Sequence, residues 1–243
     1  MTSETEEVED VIVLGDLHLG AGDGADDFSG PDCNADLDLL EKIAEWRAQG
    51  EGIVLAGDIL DLWQATLPEI LAAHEPVIQN LFQAADAYVV GNHDEDMLDK
   101  KIYGLVGLPH LVANGIWIEH GHAHDPIVSR WPLISRAISA LGGFLERYVN
   151  RDVDVLAARL AGWIGRTGRH GANERYVEAV AVEAGKHGCS RAVFGHTHQW
   201  MAPRDRLVLS LGWGPAGFPI AVANAGTWTN GKRDYVEIPE GGE

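Results

Sequence analysis

Five short runs rich in Val, Ile and Leu each end in a block of metal-type ligands, and this coincidence limits the possible folds more than any other feature of the chain. The runs and their blocks are VIVLGDLH at 11–18, GIVLAGD at 52–58, AYVVGNHD at 87–94, GIWIEHGH at 115–122 and AVFGHTH at 192–198. Apolar residues at successive positions read as strands buried on both faces, the pattern of a mostly parallel sheet covered by helices. In such an open α/β sheet the ligand crevice lies beyond the carboxyl ends of the strands. The Gly that precedes the ligand in most blocks permits a tight turn there, so the polar side chains are expected to converge on one edge.

The donors in these blocks are Asp16, His18, Asp58, Asn92, His120, His196 and His198. A carboxylate has two oxygens and can span two cations, whereas each imidazole nitrogen or amide oxygen serves one. The set divides into Asp16, His18 and His198 for one divalent ion and Asn92, His120 and His196 for a second, with Asp58 as the bridge. Both ions keep open positions, one for a phosphoryl oxygen and one for a water whose pKa the metal lowers. The mixture of nitrogen and oxygen suits Mn first, with Fe, Zn or Co as alternatives, rather than Ca or Mg alone. The fourth block holds three imidazoles, His120, His122 and His124, of which His124 reads as exposed.

The block order D-x-H, G-D-x-x-D, G-N-H-D, H-G-H and G-H-x-H resembles that of the calcineurin-like metallophosphoesterases, from residue 11 to about residue 236. The resemblance implies an α/β fold (α+β by some schemes): a four-layer sandwich of two β-sheets flanked by helices, with a helical lid insertion. It implies a dinuclear centre at the strand ends and in-line attack on phosphorus by metal-bound hydroxide. It favours His120 over His122 as the ligand of the fourth block. It also makes His93 the group that protonates the leaving oxygen or steadies the transition state, with Asp94 as its orienting partner and Asp61 behind them. Within the superfamily the chain is most similar to the UDP-2,3-diacylglucosamine pyrophosphatases of lipid A synthesis. GDILDLW resembles their G-D-x-F-E-x-W block, EHGHAHD sits where they have H-G-D followed by Asp, and ANAGTW resembles their terminal N-x-G-x-W strand. Both also place a long helical insertion before G-H-T-H. At position 93 the chain has His where that subgroup has Arg, which leaves the substrate open.

The formal net charge of −19 argues against a general nucleic-acid partner, because backbone affinity needs clustered Lys and Arg. The charge is unevenly spread: residues 126–175 hold eight Arg against four acids. The same segment carries the strongest helical period, with Trp131, Ile134, Ile138, Leu141, Leu145 and Tyr148 on one stripe and Val153, Leu156, Leu160 and Ile164 on a second. Two lid helices are expected within an insertion at about 125–172. Its apolar stripes either pack only against each other and the sheet or, with the Arg flanks, hold an acyl chain beside phosphates or rest on an anionic membrane surface. Arg166 and Arg169 are the candidate phosphate contacts, and Trp63 either stacks on a nucleobase or packs.

The rest reads as scaffold. Helices are expected at 35–48 with Leu37, Leu40, Ile43, Ala44 and Trp46 on the covered face, at 66–85 with an interruption at Pro76, and at 173–187. Late strands are expected near 206–211, 219–223 and 234–238, separated by turns at GWGPAG and TNGKR. Residues 20–32 read as a solvated Gly and Asp loop, and His74, His110, His170 and His187 as surface or capping residues. Residues 1–9 read as a disordered acidic tail and 10–243 as one domain, since blocks from 16 to 198 must close on one site. An acidic N-terminus, the absence of a long apolar run and only two cysteines, Cys33 and Cys189, read as a cytoplasmic protein.

Three functions fit these residues. The first is hydrolysis of a phosphoanhydride or phosphodiester, with a nucleotide-linked lipid such as UDP-2,3-diacylglucosamine as substrate. The second is a general phosphomonoesterase, nuclease or cyclic-nucleotide phosphodiesterase using the same metals. The third, a noncatalytic scaffold, ranks last because no ligand is missing.

Overall fold

Side-chain alternation along the apolar runs sets how the layers stack. The strands are β1 (Val11–Leu14), β2 (Gly52–Ala56), β3 (Ala87–Val89), β4 (Lys101–Ile102), β5 (Leu105–Leu108) and β6 (Leu111–Ala113). They continue with β7 (Ile116–Ile118), β8 (Arg191–Phe194), β9 (Ser210–Trp213), β10 (Pro219–Asn224) and β11 (Val236–Ile238). The helices are α1 (Ala35–Gln49), α2 (Leu67–Ala84), α3 (Pro126–Arg130) and α4 (Arg169–Lys186). The computed structural model describes residues 10–28, 34–131, 133–137, 169–199, 210–213, 219–229 and 231–239.

Among the described residues the strands form two sheets, ordered β11-β1-β2-β3-β5-β4 and β6-β7-β8-β10-β9. β1, β2 and β3 are parallel neighbours in the first, and β7 and β8 in the second. Val13, Val54, Ala56 and Val89 of the first sheet pack against Ile116, Ile118, Val193 and Ala223 of the second. Their neighbours Ile12, Leu14, Ile53, Leu55 and Tyr88 point the other way, into a core with α1 and α2. On the far side, Trp117, Ala192, Phe194 and Val222 meet Val177, Val180, Ala181 and Ala184 of α4. Each central strand is therefore apolar on both faces because each face meets a different layer. The result is the expected sandwich of two sheets flanked by helices.

Several expectations shift. α1 buries Ala35, Leu39, Ile43 and Trp46, steps of four, four and three, while Leu37 is 59% exposed and Ala44 is exposed. α4 starts at Arg169 rather than 173. β9 begins at Ser210 and runs to Trp213, so the first two residues of GWGPAG are strand rather than turn. Strands β4 to β6 were not expected, and at two to four residues each they carry little periodicity. Of the insertion, α3 and a helical stretch at 133–137 are described; the Ser135 N–H donates to the Trp131 carbonyl (3.0 Å), so a new helical turn starts at Trp131, where the expected stripe begins. The remainder of both expected lid helices lies outside the described residues.

The loop after the first block is a solvated rim only in part: Gly22, Asp23 and Gly24 are exposed, and residues 29–32 lie outside the described residues. Ala25, Asp26 and Phe28 are buried, and Asp26 organises the turn by accepting hydrogen bonds from Gly22 N–H (2.7 Å) and Phe28 N–H (3.1 Å). It also accepts one from His74 Nε2 at 2.7 Å, so His74 is a buried partner rather than a surface residue. His74 sits at a kink in α2, two residues before Pro76, with non-helical φ −128° and ψ 22°. Pro76 lacks an N–H and crowds the preceding turn, so the helix bends where the imidazole turns inward. His110 and His187 stay exposed but stack on Trp117, at ring separations of 4.3 and 4.5 Å.

Burial opposes a charge on His74, but the hydrogen bond to Asp26 and the charges of Asp26 and Asp36 outweigh it and raise its pKa above the usual 6.5. A raised histidine stabilises the fold fully below the unfolded pKa, and that stabilisation is lost as pH rises through the folded value. His74→Gln should cost about 1–3 kcal/mol at pH 6, and less at pH 9, by urea unfolding at the two pH values. A cost that is equal or larger at pH 9 would contradict the pairing.

Candidate active site

The five blocks leave the carboxyl ends of β1, β2, β3, β7 and β8, and their turns are unusual at the ligands themselves. Asp16, His18, Asp58, His196 and His198 all have positive φ, between 49° and 68°. Side chains other than Gly rarely adopt that region, and clusters of such residues mark sites where the surrounding structure over-determines the backbone. The glycines serve chiefly as space. A Cβ on Gly91 would collide with Asp58 Oδ1, and one on Gly195 with Asp16 Oδ2. A Cβ on Gly57 would lie 2.6 Å from the His120 ring. The carboxylates and imidazoles thus occupy volume that only a missing side chain leaves open.

Two groups of ligand atoms result. His18 Nε2 lies 3.1 Å from His198 Nε2 and 3.9 Å from Asp16 Oδ1, and His198 Nε2 lies 3.3 Å from the same Asp16 oxygen. In the second group His120 Nε2 lies 3.2 Å from Asn92 Oδ1, and one nitrogen of His196 falls within 4.8 Å of ligand atoms of Asp58 and His120. Asp58 Oδ2 stands between the groups, 3.7 Å from His18 Nε2 and 3.1 Å from His120 Nε2. His120 Nδ1 donates to the Ala56 carbonyl at 3.1 Å, which leaves Nε2 with its lone pair facing the cluster. The structure brings together all seven residues expected from the sequence and seats His120, not His122, beside Asp58.

His93 is held from two directions. Its Nδ1 donates to Asp61 Oδ1 (2.8 Å) and its backbone N–H donates to Asp58 Oδ1 (2.7 Å). Asp94 is not its partner, contrary to expectation. The Asp94 carboxylate is fully buried and accepts from the backbone N–H groups of Gly91 (2.6 Å), Ile59 (2.8 Å), Asp58 (3.3 Å) and Leu60 (3.3 Å). Four donors occupy it, so it fastens the Asp58 turn to the GNHD turn. Trp63 lies against the His93 ring, 4.2 Å between centroids and 22° between planes.

Further residues hold the turns and the ligands from outside the two groups. Asn224 donates to the Gly195 carbonyl and to Thr197 Oγ1, while the Thr227 hydroxyl and the Trp228 N–H both reach the Asp16 carbonyl. These are the polar positions of ANAGTW, whose spacing after the last block was the only sign of them in the sequence. Asp125 Oδ2 accepts from Tyr176 of α4 at 2.9 Å and lies 3.3 Å from His196 Nε2. His124, expected to be exposed, is half-buried and donates to Glu119 at 2.7 Å.

The electrostatics fit a cation. Burial works against charge on Asp16 and Asp58, yet His198 and His120 hold Asp16 below the usual carboxylate range, and His120 and His93 do so for Asp58. The same carboxylates raise His18 to about 10 and His120 to about 9, despite the opposing effect of burial. Burial and the Asp58 charge push Asp94 up, while burial and the neighbouring His120 push His122 down to about 3. Without metal, protons on His18 and His120 would offset the buried Asp16 and Asp58 charges; with metal, the imidazoles would be neutral and offer their lone pairs instead. Asp16 Oδ1 is buried without a hydrogen-bond partner, as expected of an atom reserved for a metal. Neighbouring donors 3.1–3.9 Å apart match ligands that each sit about 2.0–2.2 Å from one ion.

The basic candidates fall outside what the structure describes. Arg166 lies outside the described residues, and so does the side chain of Arg169, the first residue of α4. Arg136 pairs instead with Asp96 at 2.9 Å on the surface. Replacing Gly91 with Ala should displace Asp58, costing about 1–3 kcal/mol of stability by overpacking and at least about 100-fold in activity by misplacement. Wild-type activity in a folded Gly91→Ala protein would refute the role of that space.

Comparison with known families agrees with this geometry. The family model described as calcineurin-like phosphoesterase matches residues 10–200, a span that contains all five blocks. No curated protein matches the chain. The chain belongs to the calcineurin-like phosphoesterases, metal-dependent hydrolases of phosphoester bonds.

Proposed function

We propose that the two groups of ligands hold two divalent ions, Mn first by donor chemistry, and that the protein hydrolyses a phosphodiester or phosphoanhydride. The observation that carries this reading is the position of Asp58 Oδ2, within 3.7 Å of one cluster's imidazole and 3.1 Å of the other's. Asp16, His18 and His198 would hold one ion, Asn92, His120 and His196 the other, and Asp58 is placed to serve both. When bound, such ions polarise the phosphoryl oxygens and acidify the attacking water.

The chain's own residues do the rest. With Nδ1–H committed to Asp61, His93 has Nε2 left to give a proton to the departing oxygen. Asp61 stabilises the charged ring and fixes its tautomer. Asp94 keeps Asp58 and His93 in register by tying their turns together, and Asp125 does the same for His196 from the α4 side.

For the substrate, we infer a nucleotide-linked lipid of the UDP-2,3-diacylglucosamine type. Support comes from the subgroup-like blocks and from Trp131, Leu133 and Ile134, which are 55%, 81% and 50% exposed just after the fourth block. An apolar strip beside a phosphate site suits an acyl chain. No helix among the described residues is long and apolar enough to cross a membrane, so lipid would be met at a surface.

Asp58→Ala should lower bound Mn below the wild-type ratio by elemental analysis and abolish turnover. His93→Ala should keep the metal and lose about 10²–10⁴ in kcat. Serine at positions 131, 133 and 134 should reduce kcat/KM for a lipid-linked nucleotide diphosphate by about 10-fold or more, as expected for lost apolar burial. The same change should spare a small water-soluble phosphodiester. Equal losses on both substrates would remove the lipid reading, and faster turnover of monoesters or cyclic nucleotides would favour a general esterase.

A further inference from the structure

We propose that Trp63 is a positioning residue for His93, setting the plane of the imidazole so that its proton reaches the leaving oxygen. This inference rests on the reading of His93 as the proton donor. The two rings stack at 4.2 Å and 22°. The Trp63 backbone N–H also donates to Asp61 Oδ1 (3.2 Å), the oxygen that receives His93 Nδ1 at 2.8 Å. Trp63 therefore touches both members of the Asp61–His93 pair, once by its main chain and once by its ring.

The need for such a contact follows from torsional freedom. The outer torsion of histidine joins a tetrahedral to a trigonal carbon and has broad wells, so the rotamer alone leaves the ring plane loose. The hydrogen bond to Asp61 fixes where Nδ1 lies but permits the ring to tilt about that contact. A flat indole face lying 22° from the ring plane removes the tilt and thereby places Nε2. His18 meets the same imidazole almost at right angles, 84° and 4.6 Å, so movement of the ring would also disturb a member of the first cluster. The face of Trp63 used in this way is not available to a nucleobase. One short segment, GDILDLW, thus supplies the shared carboxylate, the carboxylate that orients His93 and the ring that flattens it.

In the step concerned, the P–O bond to the leaving group breaks with its electron pair on the departing oxygen, which takes the proton from His93 Nε2. A water oxygen forms the new P–O bond and releases its proton to solvent, from which His93 is reprotonated. Help from His93 matters most when the departing oxygen is strongly basic, so a misaligned His93 should penalise poor leaving groups selectively.

The test uses full-length Mn-loaded protein and methyl aryl phosphodiesters whose phenols span a range of pKa. Trp63→Ala should lower kcat by about 10–100-fold for the most basic phenols and by no more than about 3-fold for the most acidic, with KM unchanged. Trp63→Phe, which keeps a flat ring, should recover most of the loss, while Trp63→Leu of similar bulk to Phe should not. These two variants carry the comparison if the Ala variant fails to fold. Added to His93→Ala, Trp63→Ala should cause no further loss. A loss that is uniform across phenols, that appears only in KM, that Leu rescues as well as Phe, or that persists without His93 would overturn the inference. If His93→Ala itself lacks leaving-group dependence, the assignment of His93 as proton donor fails and this inference falls with it. Selectivity in His93→Ala without selectivity in Trp63→Ala removes the inference alone.

Discussion

One carboxylate, Asp58, is shared by everything at this site. Its Oδ2 faces an imidazole of each ligand group, and its Oδ1 accepts the His93 N–H. A buried anion with no counter-charge would be costly, so such a group demands cations around it, whether imidazolium or metal. Its position is imposed from several sides. Positive φ turns its backbone, the absent side chain of Gly91 makes room for Oδ1, and Asp94 holds its N–H and the two that follow. The layered core supplies the frame, because β2 is gripped on one face by helices and on the other by the second sheet.

The parts of this arrangement that the sequence revealed are those written in local pattern. Strands buried on both faces announce themselves as uninterrupted apolar runs, and side chains such as Asp16 or His198 have few common uses at such strand ends. The family resemblance follows from the same blocks. What stayed hidden depends on direction rather than on order along the chain. Asp94 is adjacent to His93 yet turns its carboxylate to four backbone N–H groups, since neighbours in sequence need not share a face. The partner of His93 is instead Asp61, 32 residues earlier. The His74–Asp26 pair spans 48 residues and no periodicity reports it. Strands β4 to β6 are too short to show alternation, and the positive φ at the ligands goes unannounced because Asp and His, though enriched there, mostly adopt negative φ.

The charge distribution also takes on physical meaning beside this site. A chain of net charge −19 must attract an anionic substrate to a centre built from carboxylates. Within that total, residues 126–175 hold eight Arg against four acids, and the remainder of the chain is acidic and opposes nonspecific anions. Asp125 and Tyr176 connect that segment's two described ends to His196, so α3 and α4 meet at the site's edge. Both helices are thereby joined to the centre through one ligand, His196.

The sharing of Asp58 is tested most directly by electron paramagnetic resonance on the Mn-loaded protein. A carboxylate common to both ions should give an exchange-coupled dimanganese spectrum that Asp58→Ala abolishes. A spectrum of isolated Mn ions in the wild type, at any metal loading, would contradict the account.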